Sequence, residues 1–274
     1  MSDNSIQDAG ILSTGSATAP AFNGTQNFVL TGRTILVTGA SSGIGKAVAI
    51  LCASLGAKLV INGRSEERLQ AVFEQISPLN STDHQIIVGD LTEPDVREKL
   101  IEAAPVYDGL AYCAGSAALA PVRMASEKHL QQMLAVNYLA PASLTQRLLY
   151  KKKLNAGASL VYVTALASRA CPSASAAYAA SKAALESYIR TLALEHGKQN
   201  IRATYVAPGY VDTPMLESLG TMIDMDKQSE LTPMGKIEST DIAPGVAYLL
   251  SPASRWVTRS ILTIDGGLSI AMRL

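Results

Sequence analysis

Cysteine is scarce in this sequence: Cys52, Cys113 and Cys171 are three among 274 residues, with no Cys-x-x-Cys spacing. An odd, dispersed set argues against a disulfide framework, and the three read as buried small hydrophobes in a reducing compartment. The three histidines, His84, His129 and His196, show no ligand spacing, so no metal site is expected. Net charge is also missing: Lys plus Arg and Asp plus Glu both number 23. That balance removes the basic excess of a nucleic-acid partner. The densest basic spot, Lys151 to Lys153, reads as a solvated helix end.

Long apolar runs are absent too. The uncharged stretch from Gly109 to Val122 falls short of the roughly 20 residues a membrane helix needs, so no membrane partner is expected. Residues 9–32 are uncharged but rich in Ser, Thr, Gly, Ala and Asn. They follow Asp3 and Asp8, unlike a secretory signal, and contain no Arg, unlike a transit peptide. Residues 1–27 read as a flexible tail with a short ordered segment near Phe22 or Phe28. A cytoplasmic location follows by default.

What is present is 48% hydrophobic residues, enough for one large domain over 28–274 with no disulfide or structural metal. Short β-branched runs alternate with helical patterns. Strands are expected at 34–38, 58–62, 85–88, 109–113, 159–164, 201–206 and 261–264. Helices are expected at 46–55, from 65 to before Pro78, 93–103, 126–149, 176–196 and 241–250, with Ser126 as an N-cap and Gly56 as a helix stop. This alternation implies an α/β fold of three layers, a doubly wound parallel sheet of the Rossmann type in a single domain. The Met-rich segment 214–235, bounded by Pro214 and Pro233, breaks the alternation and reads as a lid.

The first chemical signal is Thr38-Gly39-Ala40-Ser41-Ser42-Gly43-Ile44-Gly45, set between a strand and a helix. Glycines let the backbone approach a pyrophosphate, and the helix N-terminus offers free N–H groups and positive dipole. The second is Tyr178-Ala179-Ala180-Ser181-Lys182, whose Tyr and Lys share one helix face. A free tyrosine titrates near 10, and a neighbouring ammonium is expected to lower that value. Tyr178 is therefore the candidate acid/base.

Together with Asp90-Leu91, Cys113-Ala114-Gly115, Asn137, Pro208-Gly209 and Asp265-Gly266-Gly267, these motifs resemble the short-chain dehydrogenases/reductases across about residues 30–269. The overall pattern looks most like the beta-ketoacyl-carrier-protein reductase branch. The resemblance implies hydride transfer between a nicotinamide and a small carbonyl or secondary alcohol substrate. It implies cofactor contacts from Gly39, Ser41, Ser42, Gly43, Ile44, Gly45, Asp90, Leu91, Ala114, Gly115, Asn137, Tyr178, Lys182, Pro208, Gly209, Val211 and Thr213, with Tyr178, Lys182 and Asn137 as the catalytic set. It also implies that Lys182 holds the nicotinamide ribose and that Asn137 serves a proton relay towards it. Relatives commonly form homotetramers or homodimers through the helices at 126–149 and 176–196.

Three positions depart from the family. Its catalytic Ser, just after the fifth strand, is replaced by Ala165; Thr164 and Ser168 are the hydroxyls nearby that could contact substrate in its stead. Losing one oxyanion donor costs about 100- to 1,000-fold in rate, so the alternative is a weakened or non-catalytic nucleotide-binding homologue. At the end of the second strand, about 20 residues after the glycine turn, Gly63 occupies the place of the NAD-selecting carboxylate and Arg64 follows. A guanidinium binds a 2′-phosphate that a carboxylate would repel, which favours NADP(H) over NAD(H). Arg259 stands where relatives often carry Gly.

Overall fold

The computed structural model describes residues 24–272. Most of the expected tail lies outside the described residues; Gly24–Phe28 forms a 3-10 turn, with Phe28 6.4 Å from the ring of Tyr248. The elements in chain order are β1 (Thr34–Thr38), α1 (Gly43–Ser54), β2 (Lys58–Gly63), α2 (Glu66–Ile76), β3 (Gln85–Val88), α3 (Pro94–Glu102), β4 (Tyr107–Tyr112), α4 (Glu127–Leu134), α5 (Ala140–Tyr150), β5 (Leu154–Val163) and α6 (Ala167–Ala170). They continue with α7 (Ala176–His196), β6 (Arg202–Pro208), β7 (Val211–Asp212), α8 (Pro214–Glu217), α9 (Met225–Leu231), β8 (Ile237–Glu238), α10 (Ser239–Leu250), β9 (Ile261–Ile264) and α11 (Leu268–Ala271).

Seven strands form one parallel sheet in the order β3-β2-β1-β4-β5-β6-β9. Alternation along each strand feeds two cores. Ile35 and Val37 join Val48, Cys52, Val72 and Val246 on one face, while Leu36 joins Leu100, Leu144, Leu148, Leu185 and Ile189 on the other. The chain thus reverses direction across the sheet between β1 and β4, and a crevice opens there at the strand C-termini.

The helix expected over 126–149 is not regular. Ser126 caps α4 by accepting from the His129 N–H, but Ala135–Leu139 forms a π turn before α5. Pro141 accounts for it: the ring has no N–H to give and would collide with the carbonyl four residues back, so the turn widens. The segment expected as a lid contains α8, a 3-10 turn at Gly220–Met222, and α9. The lysine run is not simply solvated. Lys151 reaches Glu98 at 2.7 Å and Glu102 at 2.9 Å, Lys153 reaches Glu102 at 3.0 Å, and Arg147 reaches Glu98 at 2.7 Å. These ion pairs tie α5 to α3. The reading of all three cysteines as buried also needs correction. Cys52 is buried and Cys113 half-buried, but Cys171 is exposed on a left-handed turn after α6.

Arg259 adopts φ +56°, the left-handed region that costs a side-chain-bearing residue about 1–2 kcal/mol and glycine almost nothing. Arg259→Gly is therefore expected to stabilise the fold by about 0.5–1 kcal/mol after glycine's greater unfolded-state entropy is subtracted. Chemical denaturation of the two forms checks it; a loss of stability would mean that the arginine side chain contributes more than the strain costs.

Candidate active site

A cleft of about 770 Å³ opens at the C-terminal ends of the strands. The glycine turn between β1 and α1 forms its floor. Gly45 has no room for a side chain: a Cβ there would lie 2.2 Å from the Gly39 carbonyl oxygen. The Ser42 hydroxyl makes no capping bond at the start of α1. The opening N–H groups of a helix lack intrahelical partners, so α1 offers donors and the positive end of its dipole to this floor. That arrangement, with glycine where a side chain cannot fit, suits a pyrophosphate.

One end of the cleft is polar and basic. A Cβ on Gly63 would meet the Ser41 side chain at 2.9–3.0 Å, so the space that a ribose-binding carboxylate would need is filled. Arg64 lines the cleft beside it. So does Arg68, one turn into α2, which the sequence reading missed although the spacing of four from Arg64 signals a shared side. Neither guanidinium forms an ion pair among the described residues. Burial works against the Asp90 carboxylate, but the N–H and hydroxyl of Thr92, at 2.8 and 2.7 Å, and the nearby Arg64 hold it below its usual range. Those bonds use one carboxylate oxygen. Arg97 donates to the carbonyls of Leu91 and, at 2.9 Å, Thr92, which fixes this loop against α3. On the far side the Ala114 N–H donates to the Thr38 hydroxyl at 3.3 Å.

The other end carries Tyr178 and Lys182 on one face of α7, with the ammonium 6.0 Å from the ring centre. Both line the cleft. The Lys182 Nζ donates to the Val163 carbonyl at 3.0 Å. Gly115 leaves room for it, since a Cβ there would lie 3.2 Å from that nitrogen. Burial draws Lys182 down to about 8, with Cys113 and Glu186 acting the other way. The expected lowering of the Tyr178 phenol does not appear; burial pushes it up to about 12. Desolvation disfavours the phenolate more than the ammonium at this distance favours it.

Asn137 sits on the π turn, behind the cleft wall. Its amide donates to the Ser116 carbonyl at 2.9 Å and the Ser181 hydroxyl at 3.1 Å, and its oxygen accepts from the Ser116 N–H at 3.0 Å. Pro208, Gly209, Val211 and Thr213 line the cleft after β6, and the Thr213 hydroxyl caps α8 at 3.3 Å.

Ala165 lines the cleft where the family's serine would stand. Thr164 also lines it, but its hydroxyl is committed to the Val206 carbonyl at 3.2 Å. Ser168 does not face the cleft, contrary to expectation: its hydroxyl lies 2.6 Å from a Glu186 oxygen and 2.8 Å from the Ala165 carbonyl. A buried carboxylate is the stronger acceptor, and it holds this side chain against α7. Residues not anticipated include Leu119, Tyr210, Ser175 and Met272.

The family profile described as Enoyl-(Acyl carrier protein) reductase matches residues 39–269. The chain belongs to the short-chain dehydrogenase/reductase family. It is accordingly an oxidoreductase of the alcohol–carbonyl pair, and the family binds a nicotinamide cofactor. Glucose 1-dehydrogenase of Gluconobacter oxydans is 32% identical over 87% of this chain and 92% of its own length. A solved structure described as an NAD(P)-dependent gluconate 5-dehydrogenase from Beutenbergia cavernae with bound NADP shares 30% identity at a TM-score of 0.79, covering 89% of this chain and 99% of that one. A 7 alpha-hydroxysteroid dehydrogenase complexed with NADH and 7-oxo glycochenodeoxycholic acid shares 28% at 0.81, covering 90% and 98%. Among the described residues no helix is long and apolar enough to cross a membrane, and no cluster of His, Cys, Asp and Glu could hold a metal ion.

Proposed function

We propose that this short-chain dehydrogenase/reductase is an NADP(H)-preferring reductase of carbonyl compounds, with Tyr178 as its acid/base. The observation that carries this reading is one continuous cleft joining the glycine turn, Arg64 and the Tyr178–Lys182 face of α7. The nicotinamide, when bound, supplies the hydride. Gly39, Ser41, Ser42, Gly43, Ile44 and Gly45 hold its pyrophosphate; Asp90, Leu91, Ala114 and Gly115 hold the adenosine; Pro208, Gly209, Val211 and Thr213 hold the carboxamide end. Tyr178 gives its proton to the carbonyl oxygen. Lys182 anchors the ribose beside it, and Asn137 steadies the Ser116 backbone and Ser181 around Lys182. The lid over 214–235 closes on the substrate. Exposed apolar side chains at Leu139, Tyr150 and Leu194 support pairing of α4–α5 and α7 in a homodimer or homotetramer. The expected setting is the cytoplasm.

Preference for NADP(H) rests on Arg64 and Arg68 together. A charge-assisted hydrogen bond is worth about 1.5–3 kcal/mol, or about 10- to 100-fold in affinity. Arg64→Ala and Arg68→Ala are each expected to weaken NADPH by about that factor and leave NADH nearly unchanged. Dissociation constants from the fluorescence of bound NADPH and NADH check this; equal losses for both cofactors would refute the assignment.

Ala165 favours a second reading, a nucleotide-binding homologue without turnover. The two part on one assay: NADPH oxidation followed by absorbance against a panel of ketones. Turnover supports the reductase. Bound NADPH with no turnover across the panel, and none in Ala165→Ser, supports the second reading.

A further inference from the structure

A ketone oxygen gains negative charge as hydride arrives, and one donor fixed on it is worth about 100- to 1,000-fold in rate. Ala165 supplies none, and three hydroxyls near it in the chain are engaged: Thr164 with the Val206 carbonyl at 3.2 Å, Ser168 with Glu186 at 2.6 Å, and Ser175 with the Pro172 carbonyl at 2.6 Å. The end of the neighbouring strand offers another. Val163 of β5 pairs in register with Val206 of β6, and past that pair the Leu166 N–H donates to the Pro208 carbonyl at 2.8 Å. Ala165 and Pro208 are therefore neighbours across the sheet end, and Tyr210 follows two residues later. Tyr210 lines the cleft and is half-buried. Tyr107, Tyr162, Tyr188 and Tyr205 engage their hydroxyls within the fold, whereas that of Tyr210 bonds none of the described residues. Burial pushes the Tyr210 phenol above its ordinary range, so it carries its proton at neutral pH.

Resting on the reductase reading above, we infer that Tyr210 is a further catalytic residue, the donor that takes the place of the missing serine on the substrate oxygen. Its chain neighbours Gly209 and Val211 are assigned above to the carboxamide end of the nicotinamide, so Tyr210 sits beside the carbon that carries the hydride. Tyr178 supplies the proton. Tyr210 supplies a hydrogen bond that strengthens as charge develops, and it keeps its own proton throughout. Other polar side chains line this end of the cleft. Ser173, Asp224 and Lys227 are exposed, and water competes for what they offer; Ser116 and Gln228 are half-buried, as Tyr210 is. A phenol is more acidic than an alkyl hydroxyl or an amide, and a more acidic donor holds developing charge more strongly. Of these groups, only Tyr210 leaves the strand that pairs with the one ending at Ala165.

The test is a double-mutant cycle on the full chain with NADPH and three ketone probes: cyclohexanone, ethyl 3-oxobutanoate and 1-phenylpropane-1,2-dione. It is read on whichever probe the unaltered protein reduces fastest. Tyr210→Phe keeps the ring and is expected to lower kcat about 100-fold, with KM and the NADPH dissociation constant within about threefold. Ala165→Ser is expected to bring Tyr210→Phe back to within about tenfold of the unaltered protein. In the unaltered background the same serine is expected to gain less than about tenfold, because both donors serve one oxygen. Tyr210→Phe at more than a tenth of the unaltered rate overturns the inference and leaves the reductase reading standing. So does a loss that Ala165→Ser does not repair, or one matched by weaker NADPH binding, either of which would give Tyr210 a packing or cofactor role. So does a loss of about 100-fold in Ser116→Ala, Ser173→Ala or Gln228→Leu that Ala165→Ser repairs, which would move the role to that side chain. Silence from every form against all three ketones, with NADPH bound, ends the reductase reading, and this inference ends with it.

Discussion

Tyr178→Phe is expected to lower carbonyl reduction by about 100- to 10,000-fold, the range that a general acid contributes. Phenylalanine keeps the ring beside Lys182 and removes only the hydroxyl. Ala165 supplies no donor of its own at that end of the cleft. Burial pushes the phenol up to about 12, which suits the proposed role of a proton donor that stays protonated until charge develops on a substrate oxygen. NADPH affinity and thermal stability are expected to change little. Steady-state kinetics beside cofactor titration separate the effects, and turnover within tenfold of the unaltered protein would assign the proton to another group.

Lys182→Met is expected to act in opposite directions on activity and stability. Burial draws the ammonium from 10.5 to about 8. The folded state therefore prefers the neutral amine, whereas the unfolded chain binds a proton up to 10.5. Stability is present above the unfolded value, falls as pH drops from there to about 8, and is flat below. At neutral pH the penalty is about 3 kcal/mol. Methionine fills a similar volume without it but loses the bond to the Val163 carbonyl, worth about 1 kcal/mol. A net gain of about 2 kcal/mol is expected at pH 7; it shrinks as pH rises past 8, vanishes at about pH 10, where the penalty has fallen to the worth of the lost bond, and turns into a net loss above that. Reduction is expected to fall at least about 100-fold. Urea denaturation at pH 7 and 9.5 checks the sign; a destabilised variant at pH 7 would show that Lys182 stabilises the fold it occupies.

These two residues show where sequence reading is strong and where it stops. A spacing of four puts Tyr178 and Lys182 on one face whatever surrounds them, and the bounds of α7 and β9 agree with those read from periodicity and flanking turns. The effect of burial on the phenol was not legible, because it depends on packing that distant segments supply. The expectation of a lowered value weighed the ammonium and not the desolvation. Ser168 fails for a similar reason: its hydroxyl follows Glu186, 18 positions along the chain. Arg68 was missed because its importance depends on which side of α2 meets the cleft. The lack of a carboxylate at Gly63 is legible in the sequence; that a Cβ there would meet the Ser41 side chain is visible only in the fold.

The π turn at Ala135–Leu139 holds one residue more than an α-helix would use there. Each residue of an α-helix advances the chain by about 100°. Deleting any one of the five would restore regular geometry and swing everything downstream by about that angle. Leu144 and Leu148, now wholly buried, would then rotate off the core, while Asn137 would lose its alignment with Ser116. This stretch can therefore accept substitutions, but its length is fixed from both ends: the alignment of one amide and the packing of half a helix depend on the same extra residue.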